Sequence, residues 1–170
     1  MSRATLLILS GVWLGALFLS WAVAGASFRT AEAVAGLPPG SPAGDQVVRV
    51  PVETRRPLLR HLASEINRWM FARFGWAQVV LAVVVLALAW GFGGAVRWLS
   101  LAALIIVVVQ GLGLGPAILE LGRSIDFVAR PLPPDVGQRF GMLHGGYVVL
   151  DLAKAGLLVA LAVVLARRAG

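Results

Sequence analysis

Polar and apolar positions along the chain separate into four long apolar stretches, joined by segments rich in arginine, proline and glycine. The stretches run over about residues 5–26, 76–92, 99–119 and 140–166. A hydrocarbon core of about 30 Å needs about 20 apolar residues in a helix, so each stretch has a length suited to crossing a bilayer. Backbone groups in hydrocarbon must find their partners within the segment, which makes the spans helical. The expected fold is all-α: an integral membrane four-helix bundle forming one membrane domain over residues 1–170.

The connecting segments refine this picture. Residues 36–57 read as a loop, because Leu37-Pro38-Pro39-Gly40-Ser41-Pro42 stops any helix. Gln46 to Val52 is β-branched enough for a short strand or extended cover, with Pro51 arguing against it. Over residues 57–73, Leu58, Leu59, Leu62, Ile66, Trp69 and Met70 recur at helical spacing, with Arg56, Arg60, His61, Ser64, Asn67 and Arg68 largely opposite. This predicts an additional amphipathic interfacial helix that bends or runs directly into the second span. Its apolar face would pack on the bundle or on lipid, and Arg56, Arg60, Arg68 and Arg73 are candidates for lipid-headgroup contact. The first span resembles a signal peptide in outline, but it exceeds the usual core of about 7–15 residues and is expected to stay as a true span. Gly11 and Gly15 form a G-x-x-x-G pair, and with Gly111 and Gly115 they are candidates for close helix packing. Gly111, Gly113, Gly115 and Pro116 are expected to weaken the end of the third helix.

Composition removes whole classes of function. Apolar residues make up 59% of the chain and mean hydropathy is +0.86, which leaves no room for a separate soluble domain. There are no cysteines, so disulfides, thiolate metal sites and cysteine nucleophiles are excluded. With two histidines and three methionines, a multi-ligand transition-metal site is not expected. The net charge of +7 comes from arginines that flank the spans, which points to anionic membrane lipids as partners and not to nucleic acid. Arg3, Arg97, Arg167 and Arg168 lie on the side of the termini; ten other arginines lie in or near the first and third loops. The positive-inside rule therefore places both termini outside and loops 1 and 3 in the cytoplasm. The excess of arginine over lysine suits a bacterial inner membrane.

A few polar residues lie where they are expensive. Asp151 and Lys154 sit three apart inside the fourth span and can pair; an ion at a span centre costs about 2.5–3.5 kcal/mol on insertion scales. His144 shares their face at a seven-residue spacing, and Gln110 lies inside the third span. The set reads as polar glue between helices, as contact with a partner subunit, or as a proton or ion relay. His61 and His144 could in principle hold a haem, and Met142 with His144 a copper ion, but each set is short of ligands or badly separated. No G-x-S-x-G, P-loop or H-E-x-x-H motif occurs. No catalytic, cofactor-binding or metal residue is assigned. The leading function is a non-catalytic structural or accessory subunit of a larger membrane assembly, with other membrane subunits or self-association as partners. A small transporter or ion-handling protein and a haem or redox subunit are the alternatives.

Val12-Trp13-Leu14-Gly15, Phe28-Arg29, Gly115-Pro116 and Phe140 with Leu143-His144 together resemble a small four-span membrane family of unknown function, the one that includes transmembrane protein two hundred and five. The resemblance implies a four-span membrane protein and no particular chemistry. Two departures stand out: family members often carry asparagine where Asp151 stands, and the first loop here is longer. More remotely, the chain is similar to the membrane domain of the copper-resistance protein D family.

Overall fold

The computed structural model describes residues 3–167. Helices α1 (Arg3–Ala35), α3 (Val52–Ala89) and α6 (Pro134–Arg167) are single long elements. A fourth long run is composite: α4 (Gly94–Val109), a π-helical turn over Gln110–Leu114, and α5 (Gly115–Ser124). Each of the four runs is long and apolar enough to cross a membrane. Helix α2 (Pro42–Val47) is short, and no strand occurs among the described residues. The chain is an all-α, multi-pass membrane protein.

The long elements form a ring in which α1 packs on α3, α3 on α4, α4 on α6, and α6 back on α1. Contacts run antiparallel: Trp13 meets Gln78 and Ser27 meets Asn67 between α1 and α3. The core is built from Leu6, Trp13, Ala82, Val85, Val96, Ala103, Leu158, Leu161 and Leu165. Alanine and Ser100 at the contacts let backbones approach, which matters where lipid competes equally for apolar side chains. Outward positions such as Ile8, Leu19, Val80, Ile105, Leu112 and Val149 are apolar and exposed. Polar side chains turn inward instead: Gln78, Gln110, Asp151 and Lys154 are all buried. This inverts the pattern of a protein solvated by water.

Helices run on past the apolar stretches. α1 continues to Ala35 because nothing breaks it before Gly36 and Pro38. The loop over 36–57 is shorter than expected and contains α2. Ser41 caps that helix by accepting from the Gly44 N–H (3.0 Å), Pro42 opens it, and the Asp45 carboxylate takes the Gly40 N–H (2.8 Å). A Cβ on Gly44 would lie 2.0 Å from the Pro38 carbonyl oxygen, so only glycine fits there. Gln46 to Val52 forms no strand: α2 ends, a turn follows, and Pro51 precedes the first turn of α3.

The basic segment over 57–73 is helical but is the first part of α3, not a separate helix. Pro57 is tolerated because it lies near the start, where one backbone bond is lost. Its faces are reversed from the packing expectation. Ala63 and Asn67 are buried against the bundle, while Leu58, Leu62, Ile66 and Trp69 face outward. At the other end of α3, Trp90–Phe92 tighten into a 3₁₀ turn, and Gly93 (φ 61°) and Gly94 (φ 51°) reverse the chain in the left-handed region.

Trp69 and Trp90 are both exposed, and the rise between them is about 31 Å, close to the hydrocarbon thickness. The Arg73 guanidinium lies 4.3 Å from the Trp69 ring and that of Arg97 lies 4.9 Å from the Trp90 ring, with exposed Trp98 beside it. Such pairs of tryptophan and arginine are the expected furniture of the two headgroup levels.

Candidate functional site

The site begins with one residue of α6. Lys154 is fully buried, and its Nζ donates to Asp151 Oδ1 and to Gln110 Oε1, both at 2.8 Å. Gln110 completes the loop: its Nε2 donates to Asp151 Oδ1 (2.8 Å) and to the Tyr147 carbonyl (3.1 Å). The amide therefore bridges the two ions in the only sensible orientation, oxygen towards the ammonium and nitrogen towards the carboxylate. From α1, Trp21 Nε1 donates to the second carboxylate oxygen, Asp151 Oδ2, at 2.9 Å. Three helices thus meet on one neutral polar centre. Charge-assisted bonds satisfy both carboxylate oxygens and two of the three ammonium protons.

The main chain positions Gln110 through its π turn. The Gly115 N–H bonds to the Gln110 carbonyl, one residue beyond the usual α spacing. Pro116, which follows, has no N–H and would press on a normal α turn; the wider turn relieves that conflict. A Cβ on Gly115 would lie 2.8 Å from the Gln110 carbonyl oxygen, so the turn requires glycine. Gln110 lies about 24 Å of helix rise beyond Gly94. That puts the centre well away from the bilayer midplane, towards the loop side, where an ion costs less than at midplane depth.

His144 does not join this centre. It is exposed on α6, its ring stacked on Phe140 at 5.9 Å between centroids. Gly11, Gly15 and Gly111 face outward with open space where a side chain would be, so they make no close helix contact within the chain; Gly115 serves the π turn. Of the four arginines expected at headgroups, Arg56 is exposed and Arg73 covers Trp69. Arg60 pairs with Glu32 (2.8 Å), and Arg68 pairs with Glu65 and Asp126. The two histidines have separate neighbours, so nothing brings them to one iron.

Two polar contacts were not legible from spacing. Trp13 donates to Gln78 (3.2 Å) inside the bundle. At the loop side, His61 Nδ1 lies 2.7 Å from Asp126 Oδ2, and Arg68 donates to Asp126 Oδ1 at 2.6 Å. Burial would raise the Asp126 carboxyl, but bonds and charge from Arg68 and His61 outweigh it and hold the group below the ordinary carboxylate value. Burial and the nearby Arg60 charge lower Arg130. The sequence signal for this cluster is the run His61, Glu65, Arg68 along one side of α3.

Two clefts are present: one of about 160 Å³ between α5 and α6, lined by Leu121, Ser124 and Arg139, and one of about 200 Å³ beside α2, lined by Val47, Val50 and Leu58. Neither is lined by a residue of the Asp151 centre. Comparison with protein-family models, curated proteins and solved structures yields no match.

Proposed function

We propose that the protein is a non-catalytic, accessory component of a larger assembly in a bacterial inner membrane, with both termini outside and loops 1 and 3 in the cytoplasm. The observation that carries this reading is the closure of the polar centre. Asp151, Lys154 and Gln110 spend their hydrogen bonds on one another, on Trp21 and on the α6 backbone, and the centre ties α1, α4 and α6 together. Charges so arranged hold helices in register and are poorly placed to exchange with a passing substrate. The long outward apolar faces supply surface for lipid and for other membrane chains. The four-span resemblance is in keeping with this role.

Native mass spectrometry of the gently solubilised protein tests the proposal. The expected result is a species containing this chain with at least one further membrane chain. A second reading, ion handling, draws on the π turn beside a buried ion pair, since such turns often mark functional sites. It makes the opposite forecast. The chain would run alone, and the combined change Asp151→Asn with Lys154→Met would leave it folded while abolishing an ion flux into vesicles.

A further inference from the structure

We infer that His61, Glu65 and Asp126 form a binding site for one divalent ion of the zinc type, with Arg68 holding the two carboxylates until the metal takes its place. This does not depend on the function proposed above. His61 and Glu65 stand one turn apart on α3, so they share a face of that helix. Asp126 comes from the segment after α5, far away in sequence. One ligand atom from each lies within 4.8 Å of the other two. Zinc holds nitrogen and oxygen ligands at about 2.0–2.2 Å, so its donor atoms sit about 3–4 Å apart and a small adjustment closes the site.

Charge and access both favour a cation. Two carboxylates face one guanidinium, which leaves a negative unit uncompensated when the imidazole is neutral. A dication matches the two carboxylates fully and frees Arg68 for solvent. Asp126 is a nearly buried anchor, its side chain 8% exposed, while Glu65 and His61 are open enough to give an ion a way in from water. The cluster lies on the loop side of Trp69, outside the hydrocarbon. One imidazole nitrogen with two carboxylates suits zinc and its borderline neighbours; magnesium and calcium favour six or more oxygens. Composition alone argued against such a site because it counted histidines and methionines. The fold supplies the missing ligands as carboxylates. The bound ion would cross-link α3 to the connection between α5 and α6.

The test uses the full-length, untagged protein in detergent, stripped with chelator. Cobalt should give a saturable visible spectrum at one ion per chain that zinc abolishes, and zinc but not magnesium should raise the unfolding temperature. His61→Asn keeps a donor for Asp126 and Glu65→Gln changes a half-exposed position, so both should stay folded by gel filtration; each should weaken cobalt binding about tenfold or more. Arg68→Gln removes the competing cation and should bind more tightly than the parent. Absence of a saturable cobalt spectrum in the parent overturns the inference, as does unchanged affinity in both ligand variants. Weaker binding by a folded Arg68→Gln protein would refute the exchange between guanidinium and metal.

Discussion

Lys154 shows at the scale of one residue how a charge is kept inside a bundle: two acceptors at 2.8 Å and a carboxylate that is itself held by Trp21. Removing one partner of a buried pair typically costs about 3–5 kcal/mol, because the other charge is left behind. Asp151→Asn should therefore lower stability by an amount in that range, reduced by whatever Gln110 still offers the ammonium. Asp151→Asn with Lys154→Met should recover most of the loss, and thermal unfolding of the two single variants and the double in detergent measures it. Strictly additive losses would show that the residues do not act as a pair. Asp126 gives a second expectation, set by pH. Its folded pKa lies below its unfolded value, so its stabilisation is present above the ordinary carboxylate value of 3.8 and is lost as pH falls through the folded pKa. The stability gap between the parent and Asp126→Asn should hold steady down to about pH 4 and then close, as followed by unfolding at successive pH values. The sequence disclosed Asp151, Lys154 and Gln110 because polar residues in an apolar run are conspicuous. It could not disclose Trp21, since which rotation of α1 faces α6 is settled by packing. His144 was misjudged for a related reason. Its phase on α6 is right, but burial on α6 begins only at Asp151, and α5, which follows the π turn, buries none of its residues. The face continues where its neighbour does not.

At the scale of elements, the π turn and α3 carry the lessons. Glycines and a proline at the end of the third span announced a weakened helix, and the weakness takes the form of one wide turn that keeps the run continuous. Gly115→Ala should destabilise the protein by about 1–3 kcal/mol through overpacking against the Gln110 carbonyl. Gly111→Ala, where the space is open, should be neutral or mildly stabilising, so denaturant titration of the two variants separates them. For α3, helical periodicity gave the element and the two faces, but not which face turns inward. In water the apolar face would be buried. Here Asn67 reaches Ser27 and Arg68 reaches Asp126, so the polar side is the one that has partners within the fold.

For the whole molecule, four spans and an all-α bundle were legible because span length is set by bilayer thickness and needs no knowledge of contacts. The ring order of the helices and the inward polar set depend on rotations about each helix axis, which an almost uniformly apolar pattern leaves open. Gly11 and Gly15 illustrate the difference: the motif was plain, yet it faces out of the bundle. Gly11→Ala should therefore raise thermal stability slightly, by up to about 1 kcal/mol, as expected for an exposed glycine inside a helix. A loss of associated chains from the same variant in native mass spectrometry would show that α1 presents this face to a partner.

The π turn has one more consequence, and it concerns length. A helix with one residue more than its α ladder can use carries two phases at once, one before Gln110 and another after Gly115. Deleting a residue between them would restore an unbroken ladder and yet rotate all that follows by about 100° about the axis. Asp126 would swing away from His61 although neither had been altered. The segment should thus accept many exchanges of side chain while refusing to be shortened, and a single codon lost there would be felt at the far end of the molecule.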